Sequence, residues 1–336
     1  MRIAVDAMGG DYAPKEIVLG ALEAVKRFED VEIILAGQSE KVNAFLPKPP
    51  PERVKVVACR EVVEMGDSPV EAIKRKKDSS LRRIFEMTAS GEADAAISAG
   101  NTGATVAAAA MLLRPLEGCK RPGIAATFPS QKGHTLLIDV GANITPRPWH
   151  LLQYGIRAQV FAREVMGIAQ PSVGILNIGT EEEKGTDLVK AARGLLSRHV
   201  AGFVGSVEGR DVFNGAVDVV VCDGFVGNVL LKGTEGLGAY LVSAFLEHIK
   251  EAHGDASVEN SARLRSFSAK VDYTEYGGAP LLGVEKPAII CHGSSNAKAI
   301  TSAIRVARDF GMRQVNRLIV EALAEAEEPA DKKGAE

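Results

Sequence analysis

The stretch Ala93-Asp94-Ala95-Ala96-Ile97-Ser98-Ala99-Gly100-Asn101-Thr102-Gly103-Ala104 decides the fold. Residues 93–98 read as a strand, the Gly-Asn-Thr-Gly turn breaks it, and a helical pattern runs on to about Leu113. Five other apolar runs break at a glycine-rich polar turn: Asp6-Ala7-Met8-Gly9-Gly10-Asp11, Asp139-Val140-Gly141-Ala142-Asn143, Asn177-Ile178-Gly179-Thr180-Glu181, Cys222-Asp223-Gly224-Phe225-Val226-Gly227-Asn228 and His292-Gly293-Ser294-Ser295-Asn296. Most of these turns lead into a helix. The alternation predicts an α/β fold with a doubly wound, largely parallel sheet covered on both faces. In such a sheet the turns gather at the carboxyl ends of the strands, where ligands bind. Glycine lets the backbone approach a ligand, and the N–H groups of a helix start favour an anion. The expectation is a phosphate-handling site built mostly from backbone.

Working outward, strands are expected at Arg2–Val5, Val31–Ala36 and Val54–Ala58, with a helix at Pro14–Phe28. Ser68-Pro69-Val70-Glu71 reads as a helix start with a capping box. Ile124–Phe128 and Thr135–Ile138 read as a hairpin, followed by a helix over Pro148–Val165. Val173–Asn177, Phe203–Gly205 and Val217–Val221 are further strands, with a helix at Asp187–His199. A long helix from Asn228 to about Ala252 and a shorter one at Ser261–Ala269 suggest a helix-pair insertion over 237–276. Its apolar stripe (Leu241, Val242, Phe245, Leu246, Ile249) suits ordinary packing, a dimer interface or a membrane surface. Pro287–Ile290 returns to the sheet, a helix follows Ser294, and another covers Met312–Glu325. The chain thus reads as one α/β domain over 1–326, with a charged, disordered tail at 327–336.

Composition narrows the function. A net charge of −3 and aromatic content of 5% give neither a basic field nor a stacking platform for nucleic acid. Four scattered cysteines without a CxxC argue against disulfides and zinc. The first strand leaves no room for a signal peptide, and no apolar run reads as the roughly 18–20 residues of a membrane span. A cytoplasmic protein is expected.

Each candidate site residue has a functional and a structural reading. Gly100-Asn101-Thr102-Gly103 suits an anion cup or a plain helix cap. Asn228 suits an oxyanion donor or a turn brace, and Asp223 an orienting carboxylate or a cap. Lys184 is the cation of an acidic loop, fit to hold phosphate, to polarise a carbonyl or simply to be solvated. His292, before Gly293-Ser294, can move a proton, hold phosphate or bond within its turn. Cys222 ends a valine run and reads as a buried apolar group more than a nucleophile. Lys74, Arg75, Lys76 and Lys77, with Arg82 and Arg83, either complement a helix C-terminus or dock an acidic partner. No GxGxxG, GxxxxGK[ST] or GxSxG is present, which argues against dinucleotides, nucleoside triphosphate hydrolysis and a serine nucleophile.

Taken together, the strings resemble the bacterial phosphate acyltransferases of phospholipid synthesis. The matching segments are 3–11, 74–80, 98–104, 139–143, 207–210, 221–228, 275–279 and 292–295, in order along about residues 1–310. The resemblance implies a fold like phosphotransacetylases and isopropylmalate dehydrogenases, usually as a homodimer, with peripheral membrane association and with neither metal nor nucleotide cofactor. It implies acyl transfer from acyl carrier protein to inorganic phosphate. Phosphate would lie near Gly9, Gly10, Gly100–Gly103 and His292–Ser294. Lys184 and Asn228 would polarise the carbonyl, and Asp223 would orient one of them. The family's acidic residues after Asn143 and before His150 are replaced here by Thr145 and Trp149, and Asn296 stands where aspartate is common. A dehydrogenase on the same fold and a non-catalytic acyl- or carrier-binding regulator are the competing readings.

Overall fold

The computed structural model describes residues 1–253 and 277–326. The expected helix at Ser261–Ala269, the rest of the insertion over 254–276 and the expected tail at 327–336 lie outside the described residues. The described strands are β1 (Arg2–Asp6), β2 (Glu32–Gly37), β3 (Val54–Ala58), β4 (Ala95–Ser98), β5 (Gly123–Ser130), β6 (Gly133–Ile138), β7 (Val173–Leu176), β8 (Phe203–Val207), β9 (Val219–Val221), β10 (Ala279–Leu282) and β11 (Ala288–Ile290). They form one sheet in the order β3-β2-β1-β4-β11-β10-β5-β6-β9-β7-β8. The described helices are α1 (Lys15–Arg27), α2 (Ser39–Asn43), α3 (Pro69–Arg75), α4 (Ser80–Ser90), α5 (Thr102–Leu112), α6 (Pro148–Glu164), α7 (Asp187–His199), α8 (Asp211–Asn214), α9 (Gly224–His253), α10 (Ala297–Met312) and α11 (Val315–Ala324).

Strand alternation builds a core on each face of the sheet. Ile3, Val5, Ile33, Leu35, Leu136, Ile138, Val219 and Val221 point to the face carrying α1, α6, α7, α10 and α11. Their neighbours Ala4, Ile34, Leu137 and Val220 point to the other face, under α3, α4 and α5. Both faces are covered, so these strands read as continuous apolar runs.

The sheet is mixed rather than uniformly parallel. β3, β2, β1, β4 and β11 pair in parallel, as do β6, β9, β7 and β8. Between the two sets lie three antiparallel contacts, β11 with β10, β10 with β5, and β5 with β6. The sets therefore run in opposite senses. Twist of about 20–25° per strand, accumulated over the five steps from β4 to β9, swings both sets of carboxyl ends toward one crevice. Arg157 of α6 pins the seam between the sets. Its guanidinium is fully buried and donates to the carbonyls of Gln153 (3.0 Å), Leu282 of β10 (2.8 Å) and Arg121 before β5 (3.0 Å).

Several expectations shift in detail. Ser68 stands at the start of α3, with Pro69 in the first turn, but its side chain makes no cap bond. Glu71 instead pairs with Arg75 at 3.1 Å, one turn on, so there is no capping box. β10 has no counterpart in the sequence reading. It follows two glycines in the left-handed region, Gly277 and Gly278, and its proline hides a short strand. The expectation that no run is long and apolar enough for a membrane span is corrected by α9. By length and composition alone, Gly224–His248 contains an 18-residue window with a mean hydropathy of 1.2, none of it buried. Its glycines interrupt the apolar pattern without interrupting the helix.

Candidate active site

The turns after β1, β4 and β11 interlock. The Asp11 N–H donates to the Gly293 carbonyl at 2.8 Å. A Cβ on Gly9 would lie 2.6 Å from Asp6 Oδ2 and 2.7 Å from the Gly100 nitrogen, so only glycine lets the two turns close. Beneath them Asp6 is buried, accepting from Ser98 Oγ (2.8 Å) and the Met8 N–H (3.1 Å). Burial raises its carboxyl above the ordinary aspartate value, against the pull of these donors.

On the other half, the turns after β6 and β9 lock through carboxylates. Asp139 accepts five N–H donors, from Ile124, Gly141, Ala142 and both the backbone and side chain of Asn143. Burial still pushes its carboxyl upward. The Asn143 carbonyl accepts from the Gly224 N–H at 2.8 Å, which joins the two turns. Cys222 is fully enclosed here, and burial pushes its thiol well above the ordinary value, as a buried apolar group requires.

A cavity of about 250 Å³ lies between the halves. Thr102, Ile290, Cys291, His292 and Ser295 line it from one side, and Ile124, Val140, Asn228, Leu231, Lys232 and Glu235 from the other. The structure thus brings together Thr102, Asn228 and His292 from three of the six turns. Asn228, Leu231, Lys232 and Glu235 follow an i, i+3, i+4, i+7 spacing, which puts one stripe of α9 on the cavity. Lys232 and Glu235 were missed in the sequence, although that spacing from Asn228 carried the signal.

Other expected site residues serve local structure. Asn101 caps α5, its Oδ1 accepting from the Ala104 N–H at 2.9 Å. Its Nδ2 donates to the carbonyls of Met65 (2.9 Å) and Asp67 (3.2 Å), so it is not offered to a ligand. Asp223 caps α9 by accepting from Phe225 and Val226 N–H at 3.0 and 2.9 Å. Of the two readings open for Asp223, these contacts show the cap. The start of α10 is held likewise, with Ala299 N–H on Asn296 and Ala297 N–H on Glu16. The N–H groups of Ala104, Phe225, Val226, Ala297 and Ala299 are thus held within the protein. Lys184 does not line the cavity and pairs with Glu181 at 3.1 Å. In the basic patch Arg75, Lys76, Arg82 and Arg83 each face an acid (Glu71, Asp67, Glu86 and Asp78), which leaves Lys74 and Lys77 as its exposed cations outside those pairs. Among the described residues no group of three or more His, Cys, Asp or Glu is placed to hold a metal.

The fold resembles that of solved phosphotransacetylases. A phosphotransacetylase from Streptococcus pyogenes superposes with a TM-score of 0.58, covering 93% of this chain and 94% of that one at 16% identity. A branched-chain phosphotransacylase from Enterococcus faecalis gives 0.56, covering 94% and 99% at 17% identity. The chain belongs to the fatty acid synthesis protein family, whose model matches residues 1–318. The phosphate acyltransferase of Geotalea daltonii is 47% identical over 97% of this chain and 95% of its own, and that of Desulfitobacterium hafniense 49% over 92% and 93%.

Proposed function

We infer that this chain is a phosphate acyltransferase that takes its acyl group from a thioester on acyl carrier protein and delivers it to inorganic phosphate. The observation that carries the reading is the cavity shared by Thr102, Asn228 and His292, in a chain nearly half identical to phosphate acyltransferases over almost its whole length. A phosphate oxygen attacks the carbonyl carbon. The new C–O bond forms, the C–S bond breaks, and the proton carried by hydrogen phosphate ends on the departing sulfur. Phosphate is itself the nucleophile, so no covalent enzyme intermediate is required. Asn228 donates to the developing oxyanion. Lys184 approaches from the neighbouring β7 turn, exchanging Glu181 for the substrate. Positioning and electrostatics supply the acceleration.

The homodimer, a peripheral membrane contact through 237–276 and carrier docking through Lys74–Lys77 belong to the same reading. The exposed apolar residues of α9, among them Leu237, Tyr240 and Leu241, support a covered or membrane-facing surface. The decisive experiment incubates the protein with acyl carrier thioester and phosphate and scores acyl phosphate and free thiol. Formation of both in equal amounts is expected. Free thiol without acyl phosphate would make the chain a hydrolase and overturn the reading.

A further inference from the structure

We propose that Lys232 and His292 form the station that holds the inorganic phosphate, with Glu235 as the resident counter-ion that occupies it between turnovers. The inference rests on the phosphate acyltransferase reading and deepens it. Lys232 Nζ lies 3.5 Å from His292 Nε2, on the cavity wall. The Ser294 N–H donates to His292 Nδ1 at 3.2 Å, and Ser294 Oγ sits 2.8 Å from the same nitrogen. With Nδ1 accepting that N–H, the assigned tautomer carries the imidazole proton on Nε2, on the cavity side. An ammonium and an N–H donor therefore stand side by side and converge on one point.

One carboxylate oxygen already bonds the first and lies near the second. Glu235 Oε2 lies 2.9 Å from Lys232 Nζ and 3.7 Å from His292 Nε2. A phosphate oxygen answers the same two donors with the same charge. Glu235 thus neutralises Lys232 beside His292, and competes with any anion for that place. This arrangement differs from that of Lys184, whose partner Glu181 lies on its own loop away from the cavity lining. The two lysines divide the work: Lys232 serves the nucleophile and Lys184 the carbonyl.

The test titrates inorganic phosphate into the full-length protein, following the phosphorus NMR line width, without any acyl substrate. In parallel, the KM for phosphate and kcat are measured with acyl carrier thioester. Lys232→Met is expected to weaken phosphate at least ~10-fold in both measurements, on the scale of a lost charged contact, and Lys232→Arg to restore most of it. Glu235→Gln is expected to tighten phosphate about threefold by removing the competing charge. Lys184→Met should lower kcat while its phosphate affinity stays within about twofold of wild type. Circular dichroism confirms that each variant is folded, and Lys232→Gln stands in for the methionine variant if that one is not. Phosphate affinity unchanged in Lys232→Met overturns the station, and weaker phosphate binding in Glu235→Gln overturns the counter-ion. The binding arm separates this inference from the reading beneath it. A wild type that binds phosphate through Lys232 but makes no acyl phosphate would sink the function and leave the station standing.

Discussion

The two halves of the sheet end in turns built by opposite means. In the β1–β4–β11 half, glycine removes side chains so that backbones touch, and Gly9 lies against Gly100 while Asp11 bonds Gly293. In the β6–β9 half, carboxylates gather backbone donors, five on Asp139 and two on Asp223. The first method fixes position by exclusion, and it leaves Thr102, His292 and Ser295 at the wall. The second uses carboxylates for structure and frees the next helix to present Asn228 and Lys232. The cavity therefore draws polar groups from both halves, each set held in place by a different means.

The largest effect is expected at the seam that holds the halves together. Arg157→Met strips three buried carbonyls of a charged donor. It should cost about 3–5 kcal/mol in denaturant unfolding, from roughly 1–3 per abandoned acceptor, discounted for relaxation. A loss under about 1 kcal/mol would mean the halves hold without the pin.

The next effect is one of pH and belongs to the second half alone. His150 Nδ1 accepts the Arg147 N–H at 3.0 Å at the start of α6. Burial and then the cations Arg121, Arg147 and Arg157 push its pKa down from 6.5 to about 4. Below pH 6.5 the unfolded chain takes up a proton that the folded chain refuses until about 4. Stability should fall across that window, and His150→Gln should flatten the fall when denaturant midpoints are compared at each pH.

Asn228→Ala removes a side chain that the second half frees, and kcat should drop at least ~10-fold with folding intact. Lys184→Ala should do the same, and full turnover in both variants would break the assignment. Asp223→Ala tests whether that residue is only a cap. It should cost about 1 kcal/mol in thermal unfolding, with kcat per folded molecule falling less than in Asn228→Ala. The smallest change is expected at the rim. Charge reversal at Lys74 and Lys77 should raise the KM for carrier protein a few-fold and spare phosphate. An unchanged KM would remove that surface from docking.

The alternation of elements was legible because local periodicity writes it. Val31–Ala36 and Val173–Asn177 appear as strands within a residue or so of their observed bounds. The strand order was not legible, because β11 enters between β4 and β10 through pairings of distant segments. The cavity lining was legible at Asn228 and His292, where a polar residue stands beside a glycine turn. Asn101 and Asp223 have the same appearance, yet both are caps, since amides and carboxylates at helix starts serve either end. Lys232 escaped notice because it lies inside a helix rather than in one of the glycine turns that end the strands.

The place of β11 has a consequence for the nascent chain. Its Ala288–Ile290 pairs with Ala96–Ser98, so the outer edge of β4 must wait 190 residues, from Ser98 to Ala288, for its partner. At about 5–20 residues per second, translation leaves that edge open for about 10–40 s. An unpaired apolar strand is a template for wrong partners. The ribosome-bound chain thus passes through a long interval in which its first half is nearly complete but unsealed. Slowed synthesis in the last third of the message should appear as aggregation rather than as lost activity per folded molecule.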